Sequence, residues 1–129
     1  MQMNVLVSYV AGNNLKGTLP NEIFSLSNLQ KIDLDENQLT GTIPNAIGNL
    51  ENLRGLDLDD NGFTGSIPDE LYGLTELRFL DLDNNNLSGS IPVEISNLSK
   101  LILFQLDFNE KINGTIPTSS ISSLKRLRK

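Results

Sequence analysis

The sequence predicts an α/β solenoid with parallel strands, because it repeats itself every 24 residues. The stretch 53–76 reads LRGLDLDDNGFTGSIPDELYGLTE, and a shift of 24 residues in either direction gives another copy of it. Each copy carries about seven apolar positions, which cannot form a closed core alone, so the copies must stack on their neighbours. Strands and short helical turns are both expected within each copy.

We expect a single domain over residues 1–129, with uncapped ends. Its five repeats cover about residues 5–28, 29–52, 53–76, 77–100 and 101–126. The spacing is constant through four repeats, whereas the fifth has one extra residue before Ile112 and another before Ile121. An uncapped solenoid leaves a strand edge and a section of core open.

Within a repeat, each element follows from residue type. The alternation of leucine and aspartate over 56–59 is typical of a strand with one face in the core and one in solvent. Asn61 is expected to bond backbone groups where the chain leaves the strand. Gly65 permits a backbone conformation or a close approach that other residues resist, and Pro68 suits the first position of a short helical turn.

Composition excludes several classes of site. The chain contains no cysteine and no histidine, which argues against disulfides, thiol nucleophiles and the usual zinc sites. Lys125, Arg126, Arg128 and Lys129 concentrate base at one end, so residues 1–124 hold 6 basic against 16 acidic residues, a net charge of -10. We therefore expect no nucleic-acid partner. No apolar run reaches the roughly 18 residues that would predict membrane insertion, and the chain shows no signal peptide.

The pattern L-x-x-L-x-L-x-x-N-x-L/F-x-G-x-I/L-P resembles that of plant-type leucine-rich repeat proteins, and it covers essentially the whole chain. The resemblance is to receptor-kinase ectodomains and polygalacturonase inhibitors, without their usual cysteine caps. It implies a right-handed superhelix with a concave parallel sheet, a second short strand near T-G-S-I-P and 3₁₀ turns on the convex side. It also implies a non-enzymatic protein at the cell surface or outside the cell, which binds peptides, proteins or glycans on the concave face.

The solvent side of the predicted sheet is acidic. Nine carboxylates occupy it, and we call them the acidic face: Asp33, Asp35, Glu36, Asp57, Asp59, Asp60, Asp81, Asp83 and Asp107. Unit charges at strand spacing repel by about 3–4 kcal/mol at an effective dielectric constant of 20, so folding does not favour the arrangement. Three interpretations stay open, namely a face kept soluble by charge, a surface for a basic partner, and a cation site. Asp57, Asp59, Asp81 and Asp83 are the candidate ligands for calcium or magnesium.

Outward apolar residues border the acidic face. Tyr9, Phe79 and Phe108 are the aromatic candidates for anchoring a partner, because aromatic contacts often dominate interface energy. The first strand region, VLVSYV at 5–10, is apolar on both faces. We expect self-association through this open N-terminal edge.

The leading interpretation is a non-enzymatic module that binds a basic protein, peptide or glycan through the acidic face, without a cofactor. We disfavour an enzyme, because we expect the open sheet to offer no pocket that would desolvate the aspartates and shift their pKa values. The alternatives are a fragment of a larger receptor ectodomain and a structural or surface repeat protein that binds cations or ice. The ice interpretation depends on a regular hydroxyl pattern, formed by Thr18, Thr40, Thr42, Thr64, Ser66, Ser88, Ser90 and Thr115.

Overall fold

The computed structural model describes residues 6–128, with side chains from residue 10 onward, and shows two parallel sheets connected by short helical turns. The first sheet has the order β1-β3-β5-β7-β9, with strands Leu6–Tyr9, Leu29–Asp33, Gly55–Asp57, Phe79–Asp81 and Leu103–Gln105. The second has the order β10-β8-β6-β4-β2, with strands Lys16–Gly17, Gln38–Thr42, Gly62–Ser66, Asn86–Gly89 and Lys111–Ile112. The predicted α/β leucine-rich repeat solenoid, with its second set of short strands, is confirmed.

Leucine and isoleucine at matching places of successive repeats form one continuous core that runs from Leu19 to Leu124. Leu29, Leu53, Leu77 and Leu101 are completely buried, and each begins the run of residues that enters the first sheet. In the first sheet the strands are parallel and paired with an offset of one repeat, so a residue of one repeat packs on its counterpart in the next. The 24-residue period therefore gives each column of side chains a single environment.

The repeat asparagine bonds backbone groups at the turn, as predicted, and from the second repeat onward it also reaches the backbone of the repeat before it. Asn61 Nδ2 donates to the carbonyl of Leu34 at 2.9 Å, and Asn61 Oδ1 accepts from the amide of Leu39 at 3.0 Å. The same Nδ2 also donates to the carbonyl of Asp59 at 2.9 Å within its own repeat. One amide side chain thus satisfies polar backbone groups that the turn removes from the sheet ladder.

The glycine of the G-x-I/L-P segment has both properties that were predicted for it. Gly65 has a φ of +77°, where L-residues with side chains are strained. A Cβ at this position would also lie 3.0 Å from Cγ2 of Thr42 in the neighbouring strand. The residue is therefore needed both for the turn and for the close approach of β4 and β6.

The prediction for proline was displaced by one residue. The four 3₁₀ turns are Asn21–Ser25, Asn45–Asn49, Asp69–Gly73 and Val93–Asn97, and each begins directly after a proline. Pro68 is extended, with φ -68° and ψ 142°, so it precedes the turn instead of opening it. Its carbonyl accepts the first hydrogen bond of the turn, from the amide of Leu71 at 3.0 Å.

The fifth repeat departs from the predicted 3₁₀ turn and forms an α-helical turn at Thr118–Ser122. The extra residue before Ile121 explains the difference. In the fourth repeat the Ile95 amide bonds the carbonyl of Pro92, three residues earlier, at 3.2 Å. In the fifth, the Ile121 amide bonds the carbonyl of Pro117, four residues earlier, at 3.0 Å, which is the α-helical spacing.

Only part of the N-terminal edge predicted at 5–10 belongs to the described residues, because residues 1–5 and the side chains of 6–9 lie outside them. The backbone of β1 pairs with β3 in parallel, and Tyr9 is opposite Asp33. At the other end, the Arg128 amide donates to the carbonyl of Ile102 at 2.9 Å, which returns the chain to the first sheet.

Candidate functional site

Strand register brings the aspartates of the first sheet into line. Asp33 is opposite Asp57, Asp57 is opposite Asp81, and Gln105 continues the row. Carboxylates two residues further on, at the strand ends, form a second row beside the first. The predicted alignment along successive strands is therefore present in the fold.

Asp33 is the member of the acidic face that the protein neutralises itself. Its exposed fraction is only 7%, and Lys31 Nζ lies 2.5 Å from its Oδ2. The lysine precedes the aspartate by two residues, so both side chains point to the same side of β3. This buried carboxylate therefore has a partner within its own strand.

Asp57, Asp59 and Asp81 form the most crowded part of the acidic face. One carboxylate oxygen from each lies within 4.8 Å of the other two. Burial, reinforced by the charges of Asp57 and Asp81, raises the pKa of Asp59 to about 7. Burial also raises the pKa of Asp57 and of Asp81, against hydrogen bonds from the backbone that lower both values. Burial and mutual repulsion thus make all three carboxylates easier to protonate than a free aspartate.

Asp35 repeats this behaviour on the preceding strand. Burial raises the pKa of Asp35 to about 6, with further contributions from a hydrogen bond to Asp33 and from the charge of Asp33. One of its oxygens, Oδ1, is buried without a hydrogen-bond partner. Burial and repulsion thus raise carboxylate pKa values in two adjacent repeats of the acidic face.

The turns after the strands place further side chains beside the acidic face. Glu36, Asp60, Asn84 and Phe108 all have left-handed backbones, with φ between +46° and +56°, and all are exposed. Left-handed backbone is most costly for a bulky residue, yet Phe108 adopts it with 75% of its surface exposed. Phe79 is 48% exposed on β7, whereas the side chain of Tyr9 lies outside the described residues.

The structure supports three of the four candidate metal ligands as a group. Asp83 is used elsewhere: its Oδ1 accepts from the Asp107 amide at 2.6 Å, and its Oδ2 accepts from Gln105 Nε2 at 3.0 Å. Asp57, Asp59 and Asp81 supply the hard oxygen atoms that calcium or magnesium prefers. Calcium takes about six to eight such ligands, so this group offers a minority of a full shell.

A concave pocket lies on the surface of the first sheet, which corrects our expectation that no pocket would be present. Its volume is about 510 Å³, and it lies over Gly55, with Phe79 and Leu103 on one side and Lys31 on the other. Arg54 and Gln30 line it towards the strand starts, and Asp57 and Asp81 line it towards the strand ends. Phe79, which forms part of the apolar wall, was expected at the border of the acidic face. The signal for the pocket was a glycine between a lysine and a phenylalanine at matching positions.

The hydroxyl pattern belongs to the second sheet. Thr40 and Thr64 turn their hydroxyls back to the sheet, where they donate to the carbonyls of Gly17 and Gly41 at 3.3 and 3.2 Å. Hydroxyls that bond their own backbone are less available to a flat ice surface.

The comparisons with known proteins agree with this architecture. The leucine rich repeat family model matches residues 9–63 and 27–87, which is more than half of the chain. No curated protein sequence matches the chain significantly. Among the described residues, no helix has the length and apolar character needed to cross a membrane.

Solved structures of plant receptor kinases are similar to this chain over nearly its whole length. The ectodomain of GASSHO1/SCHENGEN3 from Arabidopsis thaliana, in complex with CASPARIAN STRIP INTEGRITY FACTOR 2, is 40% identical, with a TM-score of 0.86 over 93% of this chain and 14% of that one. The HAESA ectodomain from Arabidopsis, bound to an IDA peptide hormone, is 38% identical, with a TM-score of 0.82 over 93% and 20%.

A third solved structure is similar to this chain to the same degree, and its own chain is shorter. The BIR3–SERK2 complex from Arabidopsis thaliana is 37% identical, with a TM-score of 0.83 over 92% of this chain and 63% of that one. The chain thus spans between about a seventh and two thirds of the length of these proteins. Repeat pattern, strand order and comparisons agree, and the chain belongs to the leucine-rich repeat family.

Proposed function

We propose that the chain is a non-enzymatic binding module that holds a basic protein or peptide segment on its acidic face. The observation that carries the proposal is the crowding of Asp57, Asp59 and Asp81, whose carboxylate oxygens lie within 4.8 Å of one another. Folding keeps these charges together against their repulsion, and an incoming cation would relieve that repulsion. The proposed contact residues are the nine carboxylates of the acidic face together with Tyr9, Phe79 and Phe108.

The comparisons support a peptide or protein ligand over a glycan. GASSHO1/SCHENGEN3 is in complex with CASPARIAN STRIP INTEGRITY FACTOR 2, HAESA with an IDA peptide hormone, and BIR3 with SERK2. GASSHO1/SCHENGEN3 is a plant membrane receptor kinase, and HAESA is a receptor kinase whose ectodomain holds its ligand. We propose the same setting for this chain, outside the cell or at its surface, either as a binder in its own right or as part of a longer ectodomain.

The raised pKa values do not by themselves indicate catalysis. Mutual repulsion between Asp57, Asp59 and Asp81 contributes to the shifts, and crowded acidic networks produce such shifts in non-catalytic proteins as well. The chain contains no histidine or cysteine to act as base or nucleophile beside them. Binding of a basic segment requires only the negative charges of these three aspartates and no additional base or nucleophile.

The test is a selection of peptides from a displayed random library, carried out on the wild type and on two charge variants. The first variant is Asp57→Asn/Asp59→Asn/Asp83→Asn, which removes three charges from the acidic face. Its matched control is Glu51→Gln/Asp69→Asn/Glu94→Gln, which removes three exposed charges from the helical turns and the loop after one of them. Melting temperatures establish that each variant is folded.

We expect the wild type and the control to enrich lysine- and arginine-rich peptides, and the first variant to lose this enrichment. Affinity for a selected peptide should fall about tenfold or more in the first variant, and it should weaken with added salt in the wild type. Equal enrichment in both variants would show that another surface binds the ligand. The same acidic-face variant should stay folded, because neutralisation removes repulsion and offsets the loss of one of the two hydrogen bonds that Asp83 accepts.

A further inference from the structure

The pocket over Gly55 combines an apolar centre with oppositely charged rims. Phe79 and Leu103 supply the apolar wall, Arg54 lies towards the strand starts, and Asp57 and Asp81 lie towards the strand ends. At about 510 Å³, the pocket is larger than a single amino-acid side chain requires. An occupant that fits it must therefore be apolar in one part and cationic in the part that faces the aspartates.

The pocket exists because one column of side chains is interrupted. Lys31, Gly55, Phe79 and Leu103 occupy neighbouring positions on β3, β5, β7 and β9. Gly55 contributes no side chain, and the stem of Lys31 extends over it, so that a Cβ built there would lie 3.3 Å from Lys31 Cγ. The backbone of Gly55 is not in the left-handed region, so the backbone conformation at the start of β5 does not require glycine.

On the neighbouring strand an aspartate has a lysine two residues before it, which Asp57 and Asp81 do not have on their own strands, although the charge of Lys31 also acts on Asp57. On β3, Lys31 lies two residues before Asp33 and its ammonium group is 2.5 Å from the carboxylate. On β5 and β7 the residues at the lysine's place are Gly55 and Phe79, and neither can supply a cation to Asp57 or Asp81. Asp57 Oδ1 is buried and has no hydrogen-bond partner.

We propose that this pocket binds an extended peptide segment in which an apolar side chain is followed, two residues on, by lysine or arginine. The apolar side chain lies over Gly55 against Phe79, and the cation pairs with Asp57 and Asp81 as Lys31 pairs with Asp33. Residues two apart on an extended chain are about 6.6 Å apart and point to the same side, as the pocket and the aspartates do. Arg54 at the opposite rim disfavours a second cation there. The proposal rests on the proposed function and specifies the ligand class.

The probe is an array of acetylated peptides of the form Gly-Ser-X-Ser-Z-Ser-Gly, in which X and Z each vary over the common amino acids. We expect the labelled full chain to bind best when X is leucine, phenylalanine, tyrosine or methionine and Z is lysine or arginine. Replacing X by alanine, or Z by glutamate, should each reduce the signal about tenfold or more, as expected for loss of one buried apolar group or one charge pair.

Two variants with the same added charge separate this site from general attraction. Gly55→Lys puts at position 55 the residue found at position 31, which should fill the pocket and neutralise Asp57 from within the chain. Its matched control is Gly73→Lys, at an exposed position on the third helical turn where a Cβ would meet nothing within 4 Å. Melting temperatures should show both variants folded.

We expect Gly55→Lys to abolish the preference for an apolar X and Gly73→Lys to retain it. Charge-dependent binding of Z without any preference at X, or equal effects of the two variants, would overturn the pocket proposal and leave the proposed function standing. Absence of any preference for a basic Z would overturn both. As a second readout, Phe79→Ala should weaken selection for aromatic X more than selection for basic Z.

Discussion

The carboxylates of Asp57 and Asp59 lie two residues apart on one strand end, with oxygen atoms within 4.8 Å of each other. This relationship predicts that the protein is more stable in mild acid than at alkaline pH. Folding raises the pKa of Asp59 to about 7 and that of Asp35 to about 6, from an ordinary 3.8. Between about pH 4 and pH 7 the folded state therefore binds more protons than the unfolded state, so stability falls as pH rises.

We expect the melting temperature, followed by circular dichroism, to rise by a few degrees from pH 8 to pH 5. The contribution is fully present below about 3.8 and is lost as pH rises through the raised values. Asp59→Asn should flatten this dependence, and Asp69→Asn on the exposed third helical turn should leave it unchanged. A melting temperature that rises with pH over this interval would contradict the prediction.

The fold and the site were not equally predictable. The period of 24 residues, Asn61 and Gly65 follow directly from sequence, because each meets the same backbone requirement in every repeat. The extra residue before Ile121 was visible too, although its effect on the helical turn became clear only from the hydrogen bond to Pro117. Elements set by local spacing were therefore accessible in advance.

The pocket and the altered pKa values depend on interactions across strands. Nothing near Gly55 in sequence shows that the stem of Lys31 extends over it, or that Phe79 forms the far wall. Alternation along a strand places Asp33 on the outward side, but its burial depends on a neighbouring lysine. The outward direction of Asp33 was predictable, whereas its burial depends on a side-chain contact with Lys31 that the alternation does not specify.

The carboxylates of Asp57, Asp59 and Asp81 should be stabilised by calcium no more than by another salt of the same ionic strength. Three carboxylates are few for an ion that takes about six to eight oxygen ligands. We expect millimolar calcium chloride and sodium chloride of matched ionic strength to raise the melting temperature equally, since both screen repulsion. A calcium-specific site, filled at ten times its Kd, would add about 1.4 kcal/mol, and a shift of that size would refute the prediction.

Asn61→Ala should destabilise the protein severely. The substitution leaves the Leu39 amide without the acceptor that now lies at 3.0 Å, and it removes one of the two donors to the Leu34 carbonyl, which keeps the bond from Asn37 Nδ2 at 3.0 Å. An unsatisfied buried group costs about 1–3 kcal/mol and a lost hydrogen bond about 1 kcal/mol, so we expect a loss of about 2–4 kcal/mol in urea unfolding. Asn52→Ala is the control: its side chain makes one exposed hydrogen bond, to the Ser27 carbonyl, and should cost less than about 1 kcal/mol. Similar losses for both would argue against the structural role.

Phe108→Asn should stabilise the chain while weakening ligand binding. Phe108 is strongly exposed with a φ of +56°, and Asn84 occupies the matching place in the preceding repeat with a φ of +49°. Asparagine tolerates this backbone better, so we expect a gain of about 0.5–1 kcal/mol. Peptides recovered from the library selection should bind the variant less well. A stability gain without any loss of binding would remove Phe108 from the proposed contact residues.

Self-association through the N-terminal edge stays a prediction. Among the described residues β1 is the edge strand at the N-terminal side of the first sheet. An edge strand whose backbone groups are not blocked can pair with a further strand. We expect the mean mass in light scattering to increase with protein concentration. A constant monomer mass, together with protected N-terminal amides in hydrogen exchange, would show that the edge does not recruit a second copy.

The asparagine bonds run in one direction along the chain. Asn85 holds the Leu58 carbonyl and the Phe63 amide, and Asn109 in turn holds the Leu82 carbonyl and the Leu87 amide. Each turn is therefore completed only by the repeat that follows it. A chain emerging from the ribosome would close each turn one repeat late, and proteolysis from the C-terminus would loosen the repeat that it spares. Of these bonds, loss of the first repeat would remove only those that the Asn37 side chain now makes to Val10 and Leu15, and it would leave the turns of the following repeats closed.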